Sequence, residues 1–178
     1  SGVVLSPKDE REASDFVENT TSMLLFVTLF LTIIFFFGMP YIIQVLAPGF
    51  TDNKEAYELA VHFGKIIFPY IIFISLAAHF ASINNVHERF AAGAFAPAIL
   101  NISFILSLFV LTPLLPSAGH ALSYGVLVGG VLQFLYLYWT VLKFYRPRIR
   151  IPVLNDKLKK FFSLFLPGVV GSGVIQLN

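Results

Sequence analysis

The chain has 178 residues, 57% of them hydrophobic and 12% charged, with 20 phenylalanines and a formal net charge of +2. A soluble domain carries about 25% charged residues, and a soluble fold of this size has nowhere to hide so much apolar surface. Cysteine is absent, which excludes a disulfide framework, a thiolate nucleophile and a thiolate metal site.

Residues 6–18 read as a polar helical leader. Ser6 can cap it, Pro7 suits its first position, and Asp9 and Glu10 suit the positive end of the helix dipole. From Asn19 to Thr51 no charged residue occurs. The apolar core at 22–47 would be about 39 Å long as a helix against about 30 Å of hydrocarbon, so it must tilt, kink or protrude. Gly38-Met39-Pro40 supplies a kink, because Pro40 removes one helix bond and crowds the preceding turn. Pro48-Gly49 then turns the chain, and Asp52 with Glu55 three residues on predicts a capping box for an outer surface helix near 52–64. Its apolar face would be Tyr57, Ala60, Val61 and Gly64, with His62 and Lys65 near the interface.

The next span is expected over 66–86. Ser75, His79 and Ser82 step along it as a thin polar stripe, which either packs against a neighbouring helix or faces a watery cavity. A polar turn, Asn84 to Arg89, follows. Residues 90–142 then contain no Lys, Arg, Asp or Glu, too long for one span and right for two. The break is 112–120, which predicts spans at 92–115 and 121–142. Gly125, Gly129 and Gly130 would let the second approach its neighbours closely, and Tyr136, Tyr138 and Trp139 match an aromatic belt. A basic loop occupies 143–160, and 161–178 reads as the start of a fifth transmembrane helix.

Charge fixes the orientation. The leader (1–21), the turn at 87–91 and the basic loop together hold ten of the twelve Lys and Arg residues, and the opposite loops hold only Lys54 and Lys65. The positive-inside rule places the first group in the cytoplasm. Within the basic loop, Arg146, Arg148, Arg150, Lys157, Lys159 and Lys160 are candidates for anionic headgroups, or simply topology determinants. No protease, hydrolase or P-loop motif occurs. His62 and His120 fall on the outer side, His87 on the inner and His79 in the inner half of its span, with no pair that cleanly suits haem ligation. An enzyme, a cofactor and a metal site are therefore not expected. Nor is a nucleic-acid partner.

Several stretches resemble the MviN/MurJ family of lipid II flippases, within the MATE-like flippase superfamily. They are Phe68-Pro69-Tyr70, Ile74-Ser75-Leu76, Asn84, Arg89-Phe90, Ala94-Phe95-Ala96-Pro97, Leu100-Asn101, Ala47-Pro48-Gly49-Phe50, Gly129 to Gln133, and Leu166-Pro167 leading to Gln176. Gly93 departs from the family, which commonly carries Pro there. The resemblance implies an all-α polytopic membrane protein with fourteen transmembrane helices, in two six-helix lobes plus two more, working by alternating access around a cationic cavity. This chain would supply about five helices, most of the N-terminal lobe, as an internal piece of a longer inner-membrane protein. The cavity arginines would lie elsewhere in that protein. Carried over by position, Pro97, Asn101 and Gln133 are cavity-side or lobe-packing candidates, and Arg89 and Asn84 belong to a cytoplasmic loop. The polar stripe adds Ser75 and His79.

The implied function is moving lipid II, the undecaprenyl-linked peptidoglycan precursor, from the inner to the outer leaflet. Membrane lipids and wall-synthesis proteins are the further partners expected. Alternatives are a flippase for another polyprenol-linked oligosaccharide, a drug exporter of the same superfamily, and a non-transporting scaffold for wall synthesis. A reporter inserted at Ser117 is expected on the side opposite the cytoplasm, and cytoplasmic labelling of it would reverse the orientation.

Overall fold

A computed structural model describes residues 7–50, 52–153 and 163. The expectations for Ser6, Lys157, Lys159, Lys160, Gln176 and the fifth span at 161–178 lie outside the described residues. Helix α1 spans Pro7–Leu46, α2 Lys54–Ile67, α3 Tyr70–Val86, α4 Phe90–Leu111 and α5 Ala118–Leu142, with a single 3-10 turn at Pro48–Phe50. Among the described residues there is no strand, and four helical stretches are long and apolar enough to cross a membrane: 10–46, 54–86, 90–114 and 118–142.

The separate leader and first span are one helix. Glu18-Asn19-Thr20-Thr21-Ser22 contains residue types that favour turns, yet no Gly or Pro interrupts it. The hydroxyls of Thr20, Thr21 and Ser22 instead donate to the carbonyls of Phe16, Val17 and Glu18, four residues back, at 2.8, 2.7 and 2.8 Å. Thr28 and Thr32 repeat the pattern deeper in the helix. A hydroxyl satisfied by its own helix neither caps nor ends it. Contacts divide the chain into two units, one holding the start of α1 to Met23 with the segment from Pro147, the other running from Leu24 to Arg146.

In the larger unit, α1 continues through Pro40 and meets α2. The Pro40 carbonyl accepts from the Tyr57 hydroxyl at 2.9 Å, and Gln44 Nε2 donates to that same hydroxyl at 3.3 Å. Phe35 and Phe68 stack at 4.6 Å. A Cβ on Gly64 would lie 2.6 Å from Met39 Sδ, so a larger residue there requires the Met39 side chain to move. The N-cap of α2 is Asn53, not Asp52: Asn53 is extended, and its Oδ1 accepts from Ala56 N at 3.2 Å. Only the residue immediately before the helix can reach those first N–H groups. The apolar face of α2 is half-buried as expected, while Glu55, Glu58 and His62 are exposed. Phe68 and Pro69 keep helical dihedrals, so α2 and α3 are separated only by the N–H that Pro69 lacks.

Helix α5 is the centre of the unit, packed on α3 and α4 and, more lightly, on α2. Against α4, a Cβ on Gly129 would lie 2.7 Å from Leu100 Cδ1 and 3.1 Å from Ser103 Cβ, and one on Gly125 would collide with Ser107. Against α3, Gly130 faces Tyr70 and Phe73. Phe80 packs on Phe134 and Tyr138 at 5.9 and 5.5 Å. Tyr138 is thereby half-buried, and Tyr136 packs on Phe95 at 5.7 Å. Trp139 alone of the three is exposed, with Lys143 Nζ 3.7 Å from its ring centroid.

Gly129→Val is therefore expected to force α4 and α5 apart at a cost of about 1–3 kcal/mol. Gly38→Ala, with nothing within 4 Å of the added Cβ, should leave stability unchanged or raise it by up to about 1 kcal/mol through helix propensity. Thermal unfolding of the full-length protein in detergent checks both; equal effects would contradict this packing.

Candidate functional site

The polar residues of the larger unit sort into two environments. The first is a buried seam where α5 meets α3 and α4. Gln133 is buried, and its Nε2 donates to the Ala96 carbonyl at 2.8 Å. Asn84 is fully buried; its Nδ2 donates to Thr140 Oγ1 at 3.0 Å and to the Phe80 carbonyl at 2.9 Å. Thr140 passes its own proton to the Leu137 carbonyl at 2.7 Å. Ser103 and Ser107 bond back to Ile99 and Phe104 while lying against the glycines of α5. Both amide oxygens, Asn84 Oδ1 and Gln133 Oε1, are buried without a protein donor.

Asn84 is thus not a loop residue. Helix α3 runs through it to Val86, and Thr140, 56 residues on, gives its amide an interior partner. The turn proper is His87 to Arg89, with Glu88 at φ 58°. The ring of His87 and the guanidinium of Arg89 both sit against Phe144, at 4.2 and 5.0 Å, which fastens the turn to the end of α5. Arg89 itself remains exposed.

The second environment is an uncovered face of α4. Ala94, Pro97, Asn101 and Ile105 recur every three or four residues and are all exposed, whereas Ala92, Ala96, Ser103 and Ser107 turn towards α5. Gln133 is therefore separated from the two residues grouped with it by sequence: it packs the helices, and they face away. The stripe on α3 is also mixed. Ser75 and His79 are half-buried, and Ser82 is exposed with its hydroxyl returned to the Ala78 carbonyl.

Two polar groups lie elsewhere. Glu55, Glu58, Leu59, His62 and His120 line an open cleft of about 440 Å³ where α2 meets the start of α5. Its imidazoles are 5.3 Å apart, and His120 Nδ1 lies 2.9 Å from Ser117 Oγ. Among the described residues no three His, Asp or Glu side chains are grouped to hold a metal ion. Of the basic headgroup candidates, Arg146 and Arg148 are exposed, but Arg150 is engaged by carboxylates of α1, Asp15 and Glu18. The Arg150 side chain, 52% exposed, is shared between these carboxylates and solvent.

Comparison with known proteins decides the family. The family model for "Lipid II flippase MurJ" matches residues 4–178. The chain belongs to the MurJ family. It is 35% identical over 179 residues to the "Probable lipid II flippase MurJ" of Rhizobium meliloti, covering 93% of this chain and 32% of that protein. It is 33% identical to the protein of the same name from Rickettsia prowazekii, over 99% of this chain and 34% of that one. The "Lipid II flippase MurJ" of Burkholderia cenocepacia is 35% identical over 119 residues, 67% of this chain and 23% of that protein. The chain spans about a third of the length of the first two relatives. Membership and the apolar helices make this part of a bacterial polytopic membrane protein, as the MurJ resemblance implied.

Sequence reasoning missed Thr140 and the interior position of Asn84, because neither stands out in an apolar run until its partner helix is known. Asn84→Leu and Thr140→Val, made singly and together, should show a coupling energy of about 0.6 kcal/mol and no more than about 1.7, the range of hydrogen bonds between membrane helices. Additive effects in a double-mutant cycle would contradict the Asn84–Thr140 bond.

Proposed function

We propose that this chain is most of the N-terminal lobe of a lipid II flippase that carries the precursor from the inner to the outer leaflet of the bacterial inner membrane by alternating access. The observation that carries the reading is the match of the flippase family over residues 4–178. The chemistry fits. A lipid with a large polar head needs a hydrated route beside helices that can shift as blocks. The larger unit offers helices locked together by a polar, glycine-lined seam, and a separate α4 face carrying Pro97 and Asn101. We assign that face to the substrate route, and Gln133 to lobe packing. Ser75 and His79 are a second, partly covered approach to the route.

The cytoplasmic assignment of residues 1–21, 87–91 and 143–160 has support from contacts inside each unit. Asp15 and Glu18 meet Arg150 in one. In the other, the Arg89 turn meets Phe144. Each contact joins two segments that charge counting puts on one side. His62 and His120, assigned to the opposite side, likewise meet each other. Arg146, Arg148, Lys157, Lys159 and Lys160 are then placed at the inner leaflet, where anionic headgroups lie within their reach. The role is transport rather than catalysis, with no cofactor in the reaction.

Depleting the full-length protein in its own bacterium is expected to stop lipid II from reaching the outer leaflet, read by its accessibility to an externally added enzyme that cleaves the headgroup. Unchanged accessibility would leave a scaffolding role instead. Asn101→Leu, on an exposed position, should alter stability by no more than about 0.5 kcal/mol while lowering translocation severalfold. Full translocation by this variant would remove the α4 face from the route.

A further inference from the structure

In the smaller unit the contact between Arg150 and α1 extends beyond the ion pairs alone. Asp15, Glu18, Asn19 and Ser22 stand at i, i+3, i+4 and i+7 of α1 and so share one helical face. Residues 150–153, which follow α5 in the chain, lie along that face. The Arg150 N–H donates to Ser22 Oγ at 2.9 Å, and Ser22, fully buried, passes its own proton to the Glu18 carbonyl. Three residues on, Asn19 pairs with both backbone groups of Val153: its Oδ1 accepts from the N–H at 2.8 Å and its Nδ2 donates to the carbonyl at 2.6 Å. The amide side chain stands in for a neighbouring strand. Between these two anchors, Pro152 has no N–H to satisfy and Ile151 points out, 86% exposed. The Arg150 side chain completes the contact, with Nη1 2.9 Å from Asp15 Oδ1 and Nε 2.6 Å from Glu18 Oε2. That second approach is a close ion pair without hydrogen-bond alignment, since Glu18 Oε2 accepts no well-directed donor.

We propose that residues 150–153 are a strap clasped to the Asp15–Ser22 face of α1, with the Glu18–Arg150 ion pair as its lock. The strap follows α5 in the chain, and clasping it ties residues 150–153 to the start of α1. The two carboxylates have different weights. The Asp15 side chain is 64% exposed and water competes for it, so its pair contributes little. The Glu18 side chain is 5% exposed, and among the described residues its counterion is Arg150, whose loss would leave that buried charge uncompensated by them. The lock therefore rests on Glu18, with Asp15 accessory. Its contacts join residues 128 to 135 apart in sequence.

The test places spin labels at Ala13→Cys and Ile151→Cys in otherwise cysteine-free full-length protein; both positions are exposed and neither makes a strap contact. Electron spin resonance distance measurements should give one narrow distance. Glu18→Gln, which keeps the shape and removes the charge, and Arg150→Gln should each lose that single distance to a broad distribution. Asp15→Asn should keep it, and because that carboxylate is exposed the variant folds whichever way the result falls. A single narrow distance retained in both Glu18→Gln and Arg150→Gln overturns the lock. Broadening by Asp15→Asn as great as that by Glu18→Gln overturns the assignment to the buried carboxylate.

Discussion

In hydrocarbon no water is available to a stray polar group, so most of its hydrogen bonding has to come from the protein itself. The structure follows from that constraint at two scales. Within helices, Ser22, Thr28 and Thr32 return their protons to carbonyls of the turn before, and α1 runs unbroken for 40 residues. Between helices, Asn84 reaches Thr140 and Gln133 reaches the Ala96 carbonyl. These bonds pin the register of α3 and α4 on α5, which leucine packing alone would leave free to slide, because apolar side chains gain little by leaving lipid tails for one another.

The glycines complete the same argument. A helix pair in lipid is held by close van der Waals fit, and fit needs small residues where backbones approach. Gly125 and Gly129 receive α4, and Gly130 receives Tyr70 and Phe73 of α3. With its small side covered, α5 becomes the fixed centre, and the outward faces of α1 and α4 are left with Phe30, Phe37, Tyr41, Ile105 and Phe109 exposed. That pattern belongs to a membrane solvent. It also isolates Asn101, an amide on a face otherwise suited to lipid, as the position where transport is most directly probed.

Much of this was legible in the sequence, for identifiable reasons. The long uncharged stretches found the four described spans, and the break read at 112–120 falls where α4 ends at Leu111 and α5 begins at Ala118. The glycine spacing named the close contacts. Misreadings arose where local chemistry had two outcomes. Glu18 to Ser22 reads equally as a helix end or as hydroxyls folded back on a continuous helix, and the second occurred. Asn84 reads as a turn residue until Thr140 arrives from 56 residues away. Arg150 looks like one more solvated charge in a basic loop until α1 presents Glu18 to it. Partners far apart in sequence carry no local signal, and the Asn84 and Arg150 cases are of that kind. The face shared by Pro97 and Asn101, and the separation of Gln133 from them, required the packing of α4 on α5 to be known.

The central claim is that these helices are the N-terminal lobe of a machine that moves lipid II across a bilayer. The most direct measurement reconstitutes the full-length protein in vesicles carrying fluorescent lipid II in both leaflets and adds a membrane-impermeant quencher outside. Exchange between leaflets would let the quencher extinguish nearly all the fluorescence, while protein-free vesicles keep the inner-leaflet fraction. A protected fraction equal in the two preparations would contradict the account.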